Sequence, residues 1–152
     1  MKILSIAVPC YNSEAYMEKC IDSLLVGGEE VEILIVDDGS KDGTTEIADR
    51  YQEKYPTIVK AIHQENKGHG GAVNTGVENA TGLYFKVVDS DDWVNPEAYQ
   101  KILNVLAEVV RGPKTLDLRI SNYAYEKEGA KRKRVSRYTK ALPEGRFFGW
   151  DE

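Results

Sequence analysis

Cysteine is nearly absent from this 152-residue chain, and long apolar runs are absent altogether. Cys10 and Cys20 are too few for a disulfide framework and form neither a C-x-x-C pair nor a Cys/His metal pattern, so a reducing, cytoplasmic compartment is expected. No window reaches the roughly 18 consecutive apolar residues that a membrane-spanning helix requires. The N-terminal apolar run is cut by Pro9 and a polar turn, which argues against a secretory signal. Lys and Arg are scarce in most of the chain: residues 1–110 carry nine against nineteen Asp and Glu, whereas residues 111–152 carry eleven against six. The two parts are therefore −10 and +5. So acidic a main body argues against nucleic acid as a partner, because phosphate-backbone binding needs a basic surface, and it suits a site for a divalent cation.

With 41% hydrophobic and 30% charged residues, the composition is that of one ordinary globular domain. Apolar runs at 3–8, closed by Pro9, and 31–36, closed by Asp37, Asp38 and Gly39, read as buried strands. Between them Met17, Cys20, Ile21, Leu24 and Leu25 recur at helical spacing after a cap at Asn12 or Ser13, and Gly27 and Gly28 end the pattern. The alternation continues with a helix holding Ile47, Ala48, Tyr51 and Tyr55, a strand at 58–62, a small-residue helix near 72–80 and a strand at 84–88. Asn95 then caps a helix with Pro96 in its first turn and Tyr99, Ile102, Leu103, Leu106 and Val110 along one side, a stripe read as core. The spacing predicts an α/β fold: a mostly parallel open sheet with helices on both faces. Near the C-terminus Leu116, Leu118 and Ile120 alternate with polar residues, and Tyr123 and Tyr125 lead to a turn near Gly129, so an antiparallel hairpin is expected there.

Ligands of parallel sheets sit at the carboxyl ends of the strands, so each strand exit carries the chemistry. The exits are Pro9-Cys10-Tyr11-Asn12, Asp37-Asp38-Gly39-Ser40 and Asp89-Ser90-Asp91-Asp92. Asp, Gly and Ser are good turn formers, and any one of these turns alone is as well explained that way. Five carboxylates converging on one edge repel each other, and a divalent cation that completes its shell with phosphate oxygens is the usual reason for such a cluster. Gly68, Gly70, Gly71, Gly76 and Gly82 crowd a segment that otherwise reads as helix, which suits close approach to a ligand or a neighbouring element. The order is neither a P-loop nor a dinucleotide fingerprint. Lys67 and His69 stand at its entrance, suited either to a phosphate or simply to solvent.

The ordered set of residues 6–12 (IAVPCYN), 31–44 (VEILIVDDGSKDGT), 66–82 (NKGHGGAVNTGVENATG) and 87–93 (VVDSDDW) resembles the family 2 glycosyltransferases of GT-A fold, over about 100 residues. That resemblance implies a metal-dependent, inverting transfer of sugar from a nucleotide-sugar donor, commonly a UDP-sugar, to a saccharide or lipid-linked acceptor hydroxyl. Its donor-binding residues would be Pro9 and Tyr11 beside the base, Asp38 on the uracil imide, Lys67 and Gly68 along the donor, and Asp89 at the ribose. Asp91, with Asp89 and Asp92, would hold Mn or Mg. Asp37 is left to the turn. The family's catalytic base has no match among Glu97, Glu108, Asp117, Glu126, Glu128, Glu144, Asp151 and Glu152. Complete members are longer, so residues 1–152 are expected to be a single donor-binding domain truncated at its C-terminus. A non-catalytic nucleotide-sugar-binding or regulatory module of the same fold is the alternative. The basic run 131–134, with Arg137 and Lys140, is read as a solvated hairpin arm before it is read as a contact with anionic lipid at the inner membrane face.

Overall fold

The structure is a computed structural model and describes residues 1–126, 132–139 and 141–148. It divides into two compact units that meet at the Arg111–Gly112 bond in the sequence. In the first, β1 (Leu4–Cys10), β2 (Val31–Asp38), β3 (Val59–Gln64) and β4 (Tyr84–Val87) form one sheet in the order β3-β2-β1-β4. Every pairing in it is parallel. Helices α1 (Met17–Leu25), α2 (Thr44–Lys54) and α3 (Gly68–Asn79) make the crossovers, and α4 (Pro96–Arg111) closes the unit. Right-handed crossovers carry the chain outward from β1 to β3 and then back past β1 to β4, which puts α1 and α2 on one face and α3 on the other.

The core follows from that layering. Ile33, Leu34, Ile35 and Val36 are consecutive and all fully buried, as a central strand covered on both faces must be. Met17, Cys20, Ile21 and Leu24 of α1 and Tyr99, Leu103, Leu106 and Ala107 of α4 supply the helical side. Asn95 caps α4 as expected, its Oδ1 accepting the Ala98 N–H at 3.0 Å. On the opposite face α3 lies so near the sheet that a Cβ at Gly76 would stand 2.6 Å from the Cβ of Ala7.

Several boundaries differ from the sequence reading for physical reasons. Strand β1 runs through Pro9 to Cys10 instead of stopping before it. Ala7 O accepts the Val88 N–H at 3.0 Å, so Pro9, two residues on, turns its missing donor to the same side, where β4 has already ended. Asp37 and Asp38 lie inside β2. Neither Asn12 nor Ser13 caps α1 through its side chain; the Ser13 carbonyl takes the Tyr16 and Met17 N–H groups, and Asn12 sits at φ 49°. Gly68–Gly71 form the first turn of α3 rather than a loop before it.

The second unit carries β5 (Tyr123–Tyr125) paired antiparallel with β6 (Arg134–Ser136), which is the expected hairpin. The alternation at 116–120 does not become a strand: Leu118 and Ile120 are exposed and the segment is irregular, since period two is stabilising only where a ladder partner and an apolar face both exist. Asp117, expected on the polar face of that strand, lies in the same irregular segment. Arg134 lies over the Tyr125 ring at 5.9 Å, and Lys133 pairs with Glu126. The turn expected at Glu128 and Gly129, the basic residues Lys131 and Lys140, and Asp151 and Glu152 lie outside the described residues. Among the described residues no helix is long and apolar enough to cross a membrane.

Candidate functional site

Strand order reverses between β1 and β4, and the crevice beyond the carboxyl ends at such a switch point is where open parallel sheets bind ligands. A cleft of about 380 Å³ opens there. Pro9, Cys10, Tyr11, Ser13 and Tyr16 line it from the β1 exit, Asp38 from β2, Asn66, Gly68, His69 and Ala72 from the start of α3, and Asp89, Ser90 and Asp91 from the β4 exit. Thus Pro9, Tyr11, Asp38, Gly68, Asp89 and Asp91, singled out from the sequence, share one cavity. Asp92 lies beside it, in the acidic trio. Lys67 takes part through its backbone: its N–H donates to Asp38 Oδ1 at 2.8 Å while the residue is exposed.

Side chains of the loops tie the exits together. Ser40 Oγ accepts the Asn12 N–H at 3.0 Å, and Asn12 Oδ1 accepts the Lys41 N–H at 2.8 Å. Ser13 and Ser90 meet hydroxyl to hydroxyl at 2.9 Å, joining the first exit to the fourth. Both aromatic residues of the first exit stay half exposed, Tyr11 at 51% and Tyr16 at 43%, and line the cavity.

The carboxylates fall into two kinds. Asp37 is buried and accepts from Ser40 N at 3.0 Å, Thr45 Oγ1 at 2.6 Å and His63 Nδ1 at 2.9 Å. Burial alone would raise its pKa; the bonds from Ser40, Thr45 and His63 outweigh burial and hold it below the ordinary range. It does not line the cleft. His63 also bonds Asp49 at 2.7 Å, and against the downward pull of burial these two carboxylates raise its pKa. Asp38 is equally buried and accepts Gln64 Nε2 and Lys67 N, each at 2.8 Å, both on Oδ1.

At the β4 exit Asp89, Asp91 and Asp92 are exposed, and one oxygen of each lies within 4.8 Å of the others. Burial, then the charges of Asp91 and Asp89, raise the pKa of Asp92, with Lys86 opposing. The described partner of Asp89 is His69, Nε2 to Oδ1 at 2.9 Å. Exposed, converging, mutually repelling carboxylate oxygens are the donor set a hard divalent cation takes, so the trio fits Mn or Mg on its chemistry. The thiols offer no competing nucleophile. Burial first, and then negative neighbours, push Cys10 and Cys20 up to about 12, so both stay protonated at neutral pH.

Tyr16, Asn66 and Gln64 also belong to the site or support it, and none of them stands out in the sequence as a site residue. Tyr16, five residues past Tyr11 in the same exit, was within reach of inspection; Gln64 carried no signal, because its role depends on β3 lying next to β2 with Asp38 opposite it.

The chain matches the model of the family described as Glycosyl transferase family 2 over residues 5–140. EpsH of Bacillus subtilis (strain 168) is 37% identical to it over 98% of this chain and 46% of EpsH. The crystal structure of Staphylococcus aureus TarS 1–349 in complex with UDP-GlcNAc superposes with a TM-score of 0.62 at 34% identity, over 71% of this chain and 32% of that one. A mannosyltransferase from Pyrobaculum calidifontis, in complex with GDP-Man and Mn2+, gives 0.61 at 25% identity, over 72% and 32%. The chain spans about half the length of EpsH and about a third of each solved chain.

Proposed function

The chain belongs to glycosyl transferase family 2, and from that premise we propose that its cleft binds a nucleotide-sugar donor, a UDP-sugar first, for transfer to an acceptor hydroxyl with inversion. The carrying observation is that one cavity gathers an exposed aromatic residue, a buried carboxylate and the edge of an acidic trio, the groups that a base, a ribose and a diphosphate call for. Tyr11 stacks on the base beside Pro9, and Asp38 accepts the base N–H. Asp89 takes the ribose, and the start of α3 at Lys67 and Gly68 lies along the donor. Asp91, with Asp89 and Asp92, would hold Mn or Mg, which when bound neutralises charge developing on the leaving diphosphate. UDP-GlcNAc in TarS and GDP-Man with Mn2+ in the mannosyltransferase support this reading.

The acceptor is proposed to be a saccharide or lipid-linked saccharide, used on the cytoplasmic side of the membrane in envelope or extracellular polysaccharide assembly. The base that takes the acceptor proton is left unassigned. Calorimetric titration of UDP into the protein with and without Mn tests the site. Metal-dependent binding that disappears in Asp91→Ala is expected; no binding in either condition, or equal binding in the variant, overturns it. Release of UDP from a UDP-sugar in the presence of acceptor then separates a transferase from a module that only binds.

A further inference from the structure

Asp38 does not choose its own orientation. Its Oδ1 is filled by two donors, Gln64 Nε2 and Lys67 N, each at 2.8 Å. No described residue bonds Oδ2, and since Asp38 lines the cleft, Oδ2 is the oxygen left for a ligand. The Asp38 carboxylate admits only the NH₂ end of the Gln64 amide. The other end is held by Thr75, on the second turn of α3, whose Oγ1 lies 2.6 Å from Gln64 Oε1. Thr75 has one proton and two oxygens in reach, Gln64 Oε1 and, at 3.1 Å, the carbonyl of Gly71 one turn back. A carboxylate only accepts, so Gln64 must turn its NH₂ to Asp38 and its carbonyl to Thr75, and the shorter of the two contacts takes the hydroxyl proton. Donation thus runs one way, Thr75 to Gln64 to Asp38.

We propose that Thr75 and Gln64 are positioning residues that set nucleobase selectivity, by locking Asp38 with its free oxygen as an obligate acceptor toward the cleft. Held in place, such an acceptor takes a base whose ring nitrogen carries a proton, as uracil N3 does, and meets a bare lone pair at cytosine N3 without being able to shift to the neighbouring amino group, from which a mobile carboxylate could accept. Rejection by a site built around a buried hydrogen-bonding group is steep, because the mismatched ligand leaves that group unpaired. This rests on the donor-site reading above and adds to it that selectivity originates in α3 and β3, in residues that do not line the cavity.

The test is the ratio of UDP to CDP affinity, measured calorimetrically with Mn in the full chain. The unaltered protein is expected to prefer UDP by at least about tenfold. Thr75→Val keeps the shape and removes the proton; the Gln64 amide then loses its anchor on α3 and holds Asp38 less firmly, and the ratio is expected to fall to about threefold or less, chiefly through weaker UDP binding. Thr75→Ser returns the hydroxyl and is expected to restore the ratio, which a purely packing role would not predict. Should Thr75→Val lose its fold by circular dichroism, Gln64→Met asks the same question from β3. A full UDP preference in Thr75→Val or Gln64→Met overturns this inference and leaves the donor site standing. Absence of nucleotide binding by the unaltered protein overturns the donor site and this inference with it.

Discussion

The exits of β2 and β4 each place neighbouring aspartates at the end of a parallel strand, yet the surroundings they meet are opposite. Asp37 and Asp38 are 3% exposed, and donors from β3, α2 and the α3 entry reach them. Asp89, Asp91 and Asp92 are exposed and crowd one another. Burying a carboxylate is costly unless hydrogen bonds compensate, and a central strand has neighbours that can supply them. Strand β4 is at the sheet edge, flanked by β1 alone, and among the described side-chain bonds its trio receives the one from His69 to Asp89. One pair is consequently set before any ligand arrives, whereas the trio is left for an external charge to neutralise.

The largest effect should come from the exposed trio. Asp91→Ala is expected to weaken metal-dependent UDP binding by about a hundredfold, at least the loss seen when groups that merely support metal ligands are removed. Its urea midpoint should stay near that of the unaltered protein, and a large shift would blur the distinction between the exits. Asp37→Ala should do the reverse. It strands the Ser40 N–H, the Thr45 hydroxyl and His63, so a destabilisation of about 3 kcal/mol is expected by urea denaturation.

Acid should act on the two exits with opposite signs. Asp37 is lowered in the folded state, so its contribution is present above the ordinary carboxylate value of 3.8 and is lost as pH falls through its folded value. Asp92 is raised, so its ionisation opposes folding once pH exceeds 3.8, and its protonation at lower pH removes that opposition. Comparing denaturation midpoints of Asp37→Asn and Asp92→Asn from pH 7 to 3 should therefore give pH slopes that depart from the parent in opposite directions. The smallest effect is Asp92→Asn at neutral pH without divalent cations. It should stabilise by a few tenths of a kcal/mol, roughly the scale of exposed charge interactions, and added Mn should erase the advantage.

Strong local signals were legible. Runs such as Ile33–Val36, the Asn95-Pro96 start of α4 and the acidic strand exits each announce themselves within a few residues. Bonds across the sheet were not. Ser13 to Ser90 spans 77 positions and Asn12 to Ser40 spans 28, and neither pair carries a pattern until the strand order brings the exits together. The role of Asp37 was half visible: its assignment to the turn agrees with the Ser40 bond, but the His63 and Thr45 bonds needed β3 and α2 in place. The alternation at 116–120 shows the opposite failure, a local signal with no partner to act on.

Gly76 does not line the cleft, yet it lets the helix whose start does line it lie close against β1. It is eight residues along α3 from Gly68, about 12 Å at 1.5 Å per residue, and the missing side chain lets the helix rest against Ala7. In mechanical terms α3 is a beam resting on β1 at Gly76, with Gly68 and His69 at its cleft end. A single added methyl would act as a shim under that beam and is expected to shift the cleft end relative to Asp89 and Asp38, straining the bonds there without changing any group that lines the cleft. Bulk at position 76 is thus expected to act on the cleft from the far end of a helix, leaving the identity of every group that lines the cleft as it stands.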